Sequence, residues 1–358
     1  MYANLAQYGF GEPFIQEAAI YDGLFPARVT QQHRDLYTVV SESGEFGAAI
    51  SGKLRMGADG GDGFPAVGDF VMLDRTGGDG GNAVIHHVLP RKSVFVRKAA
   101  GTAHDVQVVA ANIDTIFICM SLNADFNLRR LERYLAVAWD SGATPVIVLT
   151  KSDLCGEVAD RLAEVNTVAM GAEIIVCSSE NGDGIDSIGA FVHFGKTIAF
   201  IGSSGVGKST LINKLIGQDV LITKDIRAGD GKGRHTTTSR QLILLPGSGI
   251  VIDTPGMREL ALASGDVEQT FSDIEALALE CKYSDCTHTA EPGCAVQQAI
   301  NNGTLSGKRF ENYQKLQREL SYEGLNSRQL ENEKINRMFG SKAEMKQAFR
   351  QIKNNKKR

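Results

Sequence analysis

The stretch "GSSGVGKST" at residues 202–210 constrains this chain more than any other. Gly202, Gly207, Lys208 and Ser209 fill the pattern G-x-x-x-x-G-K-[ST]. An apolar run, "TIAFI", precedes it and "KSTLINKLIG" follows it, so the context reads strand, loop, helix. A glycine-rich turn lets backbone N–H groups close on an anion, and the helix start adds the positive end of its dipole. Residues Gly202, Ser203, Ser204, Gly205, Val206, Gly207, Lys208, Ser209 and Thr210 are therefore predicted to wrap nucleotide phosphates. Lys208 is assigned to the β/γ phosphates and the Ser209 hydroxyl to Mg²⁺. Such a loop needs a parallel sheet with helices packed on it.

A phosphate loop does not choose between ATP and GTP. "DTPG" at 253–256 narrows the choice: Asp253 ends a strand, placed to hold Mg²⁺ through water, and the Gly256 N–H is placed for the γ-phosphate. "VLTKSDL", residues 148–154, supplies a base reader made of Thr150, Lys151, Ser152 and Asp153. The Asp153 carboxylate can accept from guanine N1–H and the 2-amino group, neither of which adenine offers. The Lys151 stem can lie over the base. "CSSE" at 177–180 fits the loop whose backbone N–H meets guanine O6, at Ser178 or Ser179. Thr150 departs from the commoner Asn at its position.

The order of these motifs is unusual. In GTPases of the Ras type the base reader lies downstream of the phosphate loop; here it lies roughly fifty residues upstream. Neighbouring ends of a doubly wound sheet can be joined and the chain opened elsewhere without dispersing the site. The predicted strands at 113–120, 145–150, 173–177, 197–202, 241–245 and 249–253 thus describe a Ras-like sheet opened just after DTPG, a circular permutation. Leu128, Leu131, Leu135 and Ala138 mark a helix between the first two strands.

Before this sheet, "RVTQQ", "LYTVVS", "EFGAAIS", "DFVMLD" and "AVIHHVLP" are β-rich runs between Gly/Asp turns. Five short strands predict a small barrel, of SH3-like or OB-type closure, with a helix from the first 25 or so residues packed on it. Arg91, Lys92, Arg97 and Lys98 form a basic exit from the barrel. After Gly265 the pattern turns helical, at 266–280, 306–320, 328–338 and 342–353. The expected division is 1–105 for the N-terminal segment and barrel, 106–265 for the permuted nucleotide domain and 266–358 for a helical module.

Of the six Cys, Cys281, Cys286 and Cys294 cluster around His288, spaced C-x4-C-x-H-x5-C. Three thiolates and one imidazole close a tetrahedral zinc site with no open position, so a structural Zn²⁺ is predicted. Cys119, Cys155 and Cys177 are scattered and read as small apolar residues, not as a disulfide framework. The N-terminus "MYANLAQYGFGEPF" lacks the basic start and apolar core of a secretory leader, and no apolar run nears a membrane span of about 18 residues. A cytoplasmic protein without membrane contact is expected. Net charge is −4, which excludes a polycation, yet Ser341 to Arg358 carries seven Lys/Arg against the single acid Glu344. That tail suits RNA or another polyanion.

With these motifs in hand, the chain resembles the circularly permuted, small-ribosomal-subunit-dependent GTPases (RsgA/YjeQ/EngC). The resemblance rests on "VLPRKSVFVRKA" (88–99), "NID" (112–114), "TKSD", "GSSGVGKST", "GRHTTT" (233–238), "DTPG" and "CKYSDCTHTAEPGC" (281–294), and spans essentially the whole chain. It implies an N-terminal OB-fold, GTP hydrolysis stimulated by the small ribosomal subunit, and a late role in maturing that subunit through rRNA. A monomer cycling between GTP and GDP is expected. Met257 stands where many GTPases carry a water-orienting Gln, and its thioether cannot hold a water. His235 is the candidate for that work, and the resemblance points the same way. One of Thr236, Thr237 and Thr238 binds Mg²⁺ in this reading, with Thr237 favoured. Met257 leads towards Cys281, so nucleotide state is expected to reach the zinc module. The competing reading is a nucleotide-gated RNA-binding protein with another partner and incidental hydrolysis. An ATP-using kinase is a third, opposed by Asp153.

Overall fold

In the computed structural model, which describes residues 2–33, 36–57, 63–78, 80–98, 106–123, 125–217, 241–245, 247, 249–253 and 266–321, the chain begins with two short helices, α1 (Ala3–Gln7) and α2 (Glu12–Ala18). The single helix expected there is broken because Gly9 takes φ +81° and Pro13 sits in the first turn of α2. A side chain at Gly9 would run into the Gly195 carbonyl, 2.5 Å from its Cβ. Phe10 and Phe14 pack on Phe70 of the barrel, with ring centroids 5.3 and 4.2 Å away.

The barrel comprises β1 (Phe25–His33), β2 (Leu36–Ser41), β3 (Gly44–Ile50), helix α3 (Gly52–Gly57), β4 (Phe70–Leu73) and β5 (Ala83–Val88). Its strands run β1-β2-β3-β5-β4, closed by an antiparallel β1–β4 pairing, with β3 and β5 parallel. This is the OB-type closure, which decides between the two barrels the strand count allowed. Val29, Val39, Val71 and Ile85 are fully buried in its core. A two-stranded ribbon, β6 (Val94–Lys98) and β7 (Val106–Ala111), then leads out of the barrel.

The second unit follows as β8 (Thr115–Ser121), α4 (Leu128–Asp140), β9 (Thr144–Thr150), α5 (Val158–Asn166), β10 (Glu173–Val176), α6 (Ile185–Gly189), β11 (Thr197–Ile201), α7 (Lys208–Ile216), β12 (Gln241–Leu244) and β13 (Ile250–Asp253). Spatial order is β10-β9-β8-β11-β13-β12, all parallel except β12. The predicted strands are present with ends shifted by a residue or two. Alternate residues face opposite ways: Ile116, Ile118, Ile147 and Ile201 join the core under α4, while Phe117, Val146, Val148 and Phe200 join the one under α7. Burial on both faces is why these strands read as unbroken apolar runs.

The last helices are α8 (Val267–Thr270), α9 (Ser272–Leu279), α10 (Ala295–Asn301) and α11 (Gly307–Ser321). Phe271, Ile274, Val296 and Phe310 share the core of α4. Inside that contact Arg309 donates to Glu132 of α4 at 2.9 Å and to Asp273 at 2.6 Å, and Asn312 donates to the other Glu132 oxygen at 2.8 Å. Burial pushes the Glu132 carboxyl up, while Arg309 and Asn312 oppose the shift. The helices expected at 328–338 and 342–353, and the basic tail, lie outside the described residues.

Two features join barrel and sheet. Strand β1 pairs antiparallel with β12 at Gln31 and Gln241, so barrel and nucleotide sheet form one eleven-stranded surface. Behind it, Arg28 is 1% exposed. Its guanidinium donates to Tyr8 O, to Gly68 O at 3.1 Å, to Asn112 O at 3.3 Å and to Thr197 Oγ1 at 3.0 Å. Burial lowers its pKa to about 10, which leaves it charged at neutral pH. The "NID" motif finishes this joint. Asn112, at φ +57°, donates to Gly68 O and accepts from Lys92 N, and Asp114 accepts from Thr197 N at 2.8 Å. Two of the basic exit residues serve the same joint, Arg91 pairing with buried Asp69 at 2.7 Å and Lys92 with Asp114 at 2.7 Å.

Candidate functional site

The C-terminal ends of β8, β9, β10, β11 and β13 lie along one rim of the sheet. Between the parallel neighbours β8 and β11 the order of the strands reverses, β8–β10 running out to one side and β11–β13 to the other. That switch point is where open α/β sheets bind ligands. Gly202–Gly207 links β11 to α7 there, with φ of +139°, +79° and +103° at Gly202, Gly205 and Gly207. At Gly202 a Cβ would fall 2.2 Å from the Cys119 carbonyl, so only glycine lets the loop pass over β8. Ser204 and Gly205 are exposed at its mouth, while Val206 is buried. Lys208 Nζ donates to Gly202 O at 2.7 Å and Ser203 O at 2.6 Å, which curls its ammonium into the loop. Ser209 and Thr210 occupy the first turn of α7, and Asp253 ends β13 on the same rim.

The base-reading segment meets this loop directly. Thr150 Oγ1, buried at the end of β9, donates to Val206 O at 2.6 Å. Its hydroxyl thus makes a cross-loop tie at the position where Asn is commoner. Lys151, at φ +59°, sends Nζ to Gly205 O at 2.7 Å. Ser152 and Asp153 open a 3-10 turn, and the Ser152 N–H donates to Cys177 O at 3.2 Å. Fully buried Ser178 donates its hydroxyl to Asp153 Oδ1 and fixes that exposed carboxylate. Ser179 follows on the loop after β10, which Gly184 (φ +72°) closes. Thr150, Lys151, Ser152, Asp153, Ser178 and Ser179 are therefore gathered beside Gly202–Thr210, despite their separation in sequence. Gly256, Met257, His235 and Thr236–Thr238 lie outside the described residues.

Two residues that sequence reading passed over also reach the phosphate loop. Arg130 Nη1 hydrogen-bonds the Ser203 hydroxyl, and Tyr134, also on α4, lines the same small cavity beside Ser203. Arg130 Nη1 also pairs with Asp125 Oδ1 at 2.8 Å. Neither belongs to a spaced motif; only a three-dimensional view brings α4 behind the loop.

Among the C-terminal helices four donors converge. The sulfurs of Cys281, Cys286 and Cys294 and a ring nitrogen of His288 all lie within 4.8 Å of one another. Cys281 Sγ and Cys294 Sγ are each 3.5 Å from His288 Nδ1 and 3.9 Å apart. A tetrahedral zinc bound at about 2.3 Å spaces sulfur ligands by nearly that amount, so the donor set fits the metal. Supporting bonds hold the ligands. His288 takes φ +57°, its carbonyl accepts from Gln297 Nε2 at 2.7 Å, and the Cys294 sulfur accepts from the Gln297 N–H at the start of α10. Burial works against ionising Cys281, but the amides of Val296 and Ala295 outweigh it and hold the thiol low. Glu291 accepts from the N–H groups of Thr287, Thr289 and Ala290, which shapes the loop between the ligands. The other three cysteines stand apart: Cys119 and Cys177 are buried and Cys155 half-buried, all free.

Comparison with known proteins gives a consistent picture. The profile of the RsgA GTPase family matches residues 88–263. The small ribosomal subunit biogenesis GTPase RsgA 2 of Lactiplantibacillus plantarum (strain ATCC BAA-793 / NCIMB 8826 / WCFS1) is 55% identical over 346 residues, covering 97% of both chains. Among solved structures, YjeQ from Thermotoga maritima superposes with a TM-score of 0.60 at 27% identity, covering 85% of this chain and 100% of that one. YloQ, described as a circularly permuted GTPase, has the same fold at a TM-score of 0.57 and 23% identity, covering 85% of this chain and 98% of its own.

Proposed function

The chain belongs to the RsgA GTPase family, and on that premise we propose that it hydrolyses GTP to GDP and phosphate, stimulated by the small ribosomal subunit, during late maturation of that subunit. The observation that carries this reading is the meeting of Asp153, Thr150 and Lys208 around one phosphate loop. Guanine is read by the Asp153 carboxylate, held by Ser178, with a backbone N–H of Ser178 or Ser179 on O6 and the Lys151 stem over the ring. The amides of Gly202–Thr210 wrap the phosphates, and Lys208 bridges the β and γ groups.

Hydrolysis at such a site is mostly positioning and charge neutralisation. Mg²⁺, when bound, spreads the charge that develops between the β- and γ-phosphates; Ser209, Thr237 and a water on Asp253 would hold it. The Gly256 amide meets the γ-phosphate. His235 orients the attacking water, a task Met257 cannot perform. The Cys281–Cys286–His288–Cys294 set would hold one structural zinc, which ties the loop after α9 to the start of α10.

Residues 1–105, 106–265 and 266–358 act in this proposal as barrel, motor and RNA-gripping module, with the basic tail on rRNA. The protein works as a cytoplasmic monomer; no helix among the described residues is long and apolar enough to cross a membrane. The test is GTP turnover with and without purified small subunits, beside Lys208→Ala. Subunits are expected to accelerate the wild type, and the substitution to abolish turnover. RNA binding gated by GTP without stimulated turnover would instead favour the nucleotide-gated binder.

A further inference from the structure

We propose that Arg130 is a positioning residue for GTP hydrolysis, setting the first half of the phosphate loop through the Ser203 hydroxyl. The inference rests on the reading of this site as a GTPase. Two ties to the base-reading segment hold the second half of the loop, Thr150 on Val206 O and Lys151 on Gly205 O. Neither reaches Ser203. What grips that residue is α4, through Arg130 on its hydroxyl.

Three observations give this grip a functional sense. Ser203 stands in two networks at once: its hydroxyl belongs to Arg130, while its carbonyl accepts the Lys208 ammonium at 2.6 Å. A shift of Ser203 therefore moves an acceptor of the lysine that addresses the transferring phosphoryl group. Arg130 is itself braced, since the same Nη1 pairs with Asp125 Oδ1 at 2.8 Å. And it occupies the first turn of α4, where its own N–H donates to the Asn127 cap at 3.0 Å. A cation there opposes the positive end of the helix dipole, so the position does not serve helix stability. Phosphoryl transfer is sensitive to sub-ångström placement of the neutralising groups. Arg130 thus acts on the rate through the loop, without touching the nucleotide.

The full-length protein is tested for GTP turnover without ribosomes, alongside affinity for a fluorescent guanine nucleotide and thermal melting. Arg130→Ala and Ser203→Ala are each expected to lower kcat by about tenfold, with KM and GDP affinity changed by less than about threefold. Because both act through one bond, the double variant is expected to be no slower than either single one. Arg130→Lys keeps a donor for Ser203 and recovers most of the rate. Arg129→Ala removes the same charge from the same helix, where it faces Glu319 at 3.6 Å, and leaves turnover unchanged. Wild-type turnover in Arg130→Ala, multiplying losses in the double variant, or an equal loss in Arg129→Ala overturns the inference while GTPase activity stands. A wild-type chain that does not turn over GTP overturns the functional reading, and this inference with it. If Arg130→Ala fails to fold, Ser203→Ala and Arg130→Lys carry the comparison.

Discussion

At the scale of single residues the site divides into groups that chemistry marks and groups that only geometry marks. Asp153 is of the first kind, because two acceptors on one carboxylate match the donor edge of guanine and of no other common base. Asp153→Asn replaces one acceptor with a donor. Affinity for GTP is expected to fall at least about a hundredfold, and xanthosine triphosphate, which carries an oxygen in place of the 2-amino group, to bind better than GTP; displacement of a fluorescent nucleotide measures both. Lys208 and the glycines were readable for the same reason, since backbone approach to phosphate demands them in fixed spacing. Thr150 was only half readable. The sequence marks a departure from Asn, but not that its hydroxyl would reach Val206 O. Ser178 was readable as part of the base loop, but not as the hydroxyl that holds Asp153. Arg28 and Arg130 left no mark, because the groups they reach at the barrel joint and the phosphate loop lie 20 to 169 residues away in the chain.

Elements show the same division on a larger footing. The parallel strands were legible from apolar runs that burial on two faces imposes, and α4 from its helical spacing of Leu128, Leu131 and Leu135. The β6–β7 ribbon and α10 were not, being short and shaped by what they connect. Helix α1 is another short case, five residues that cannot stand alone in water. Glu42, from the barrel, caps it by accepting from the N–H groups of Asn4 at 3.1 Å and Leu5 at 3.2 Å. Those bonds, that of Asn4 first, lower the Glu42 carboxyl below its ordinary 4.5. A depressed acid contributes stability above its unfolded pKa and loses it as pH falls through the lower folded value. Protection of the Asn4 and Leu5 amides from hydrogen exchange is therefore expected to hold at pH 7 and fade below pH 4.5. Glu42→Gln should lose much of it at neutral pH and flatten that dependence.

For the whole molecule, the permutation puts the nucleotide sheet between two flanks that it meets differently. On one side α4 shares its core with the helices that carry the Cys/His cluster. Removing metal with a chelator is expected to loosen that module and lower its melting temperature. Intrinsic GTP turnover should persist while stimulation by the small subunit is lost, as calorimetry and turnover assays would record. On the other side stands the β1–β12 pairing, which no motif announced. A free sheet margin is a standing invitation to an extra strand from another molecule. Here one end of the large sheet curls shut on itself where β4 returns to β1, and the margin of β12 is already taken by the chain's own barrel. Among the described residues that leaves β10 as the sheet's single open margin, and its four residues offer a visiting strand very little to hold.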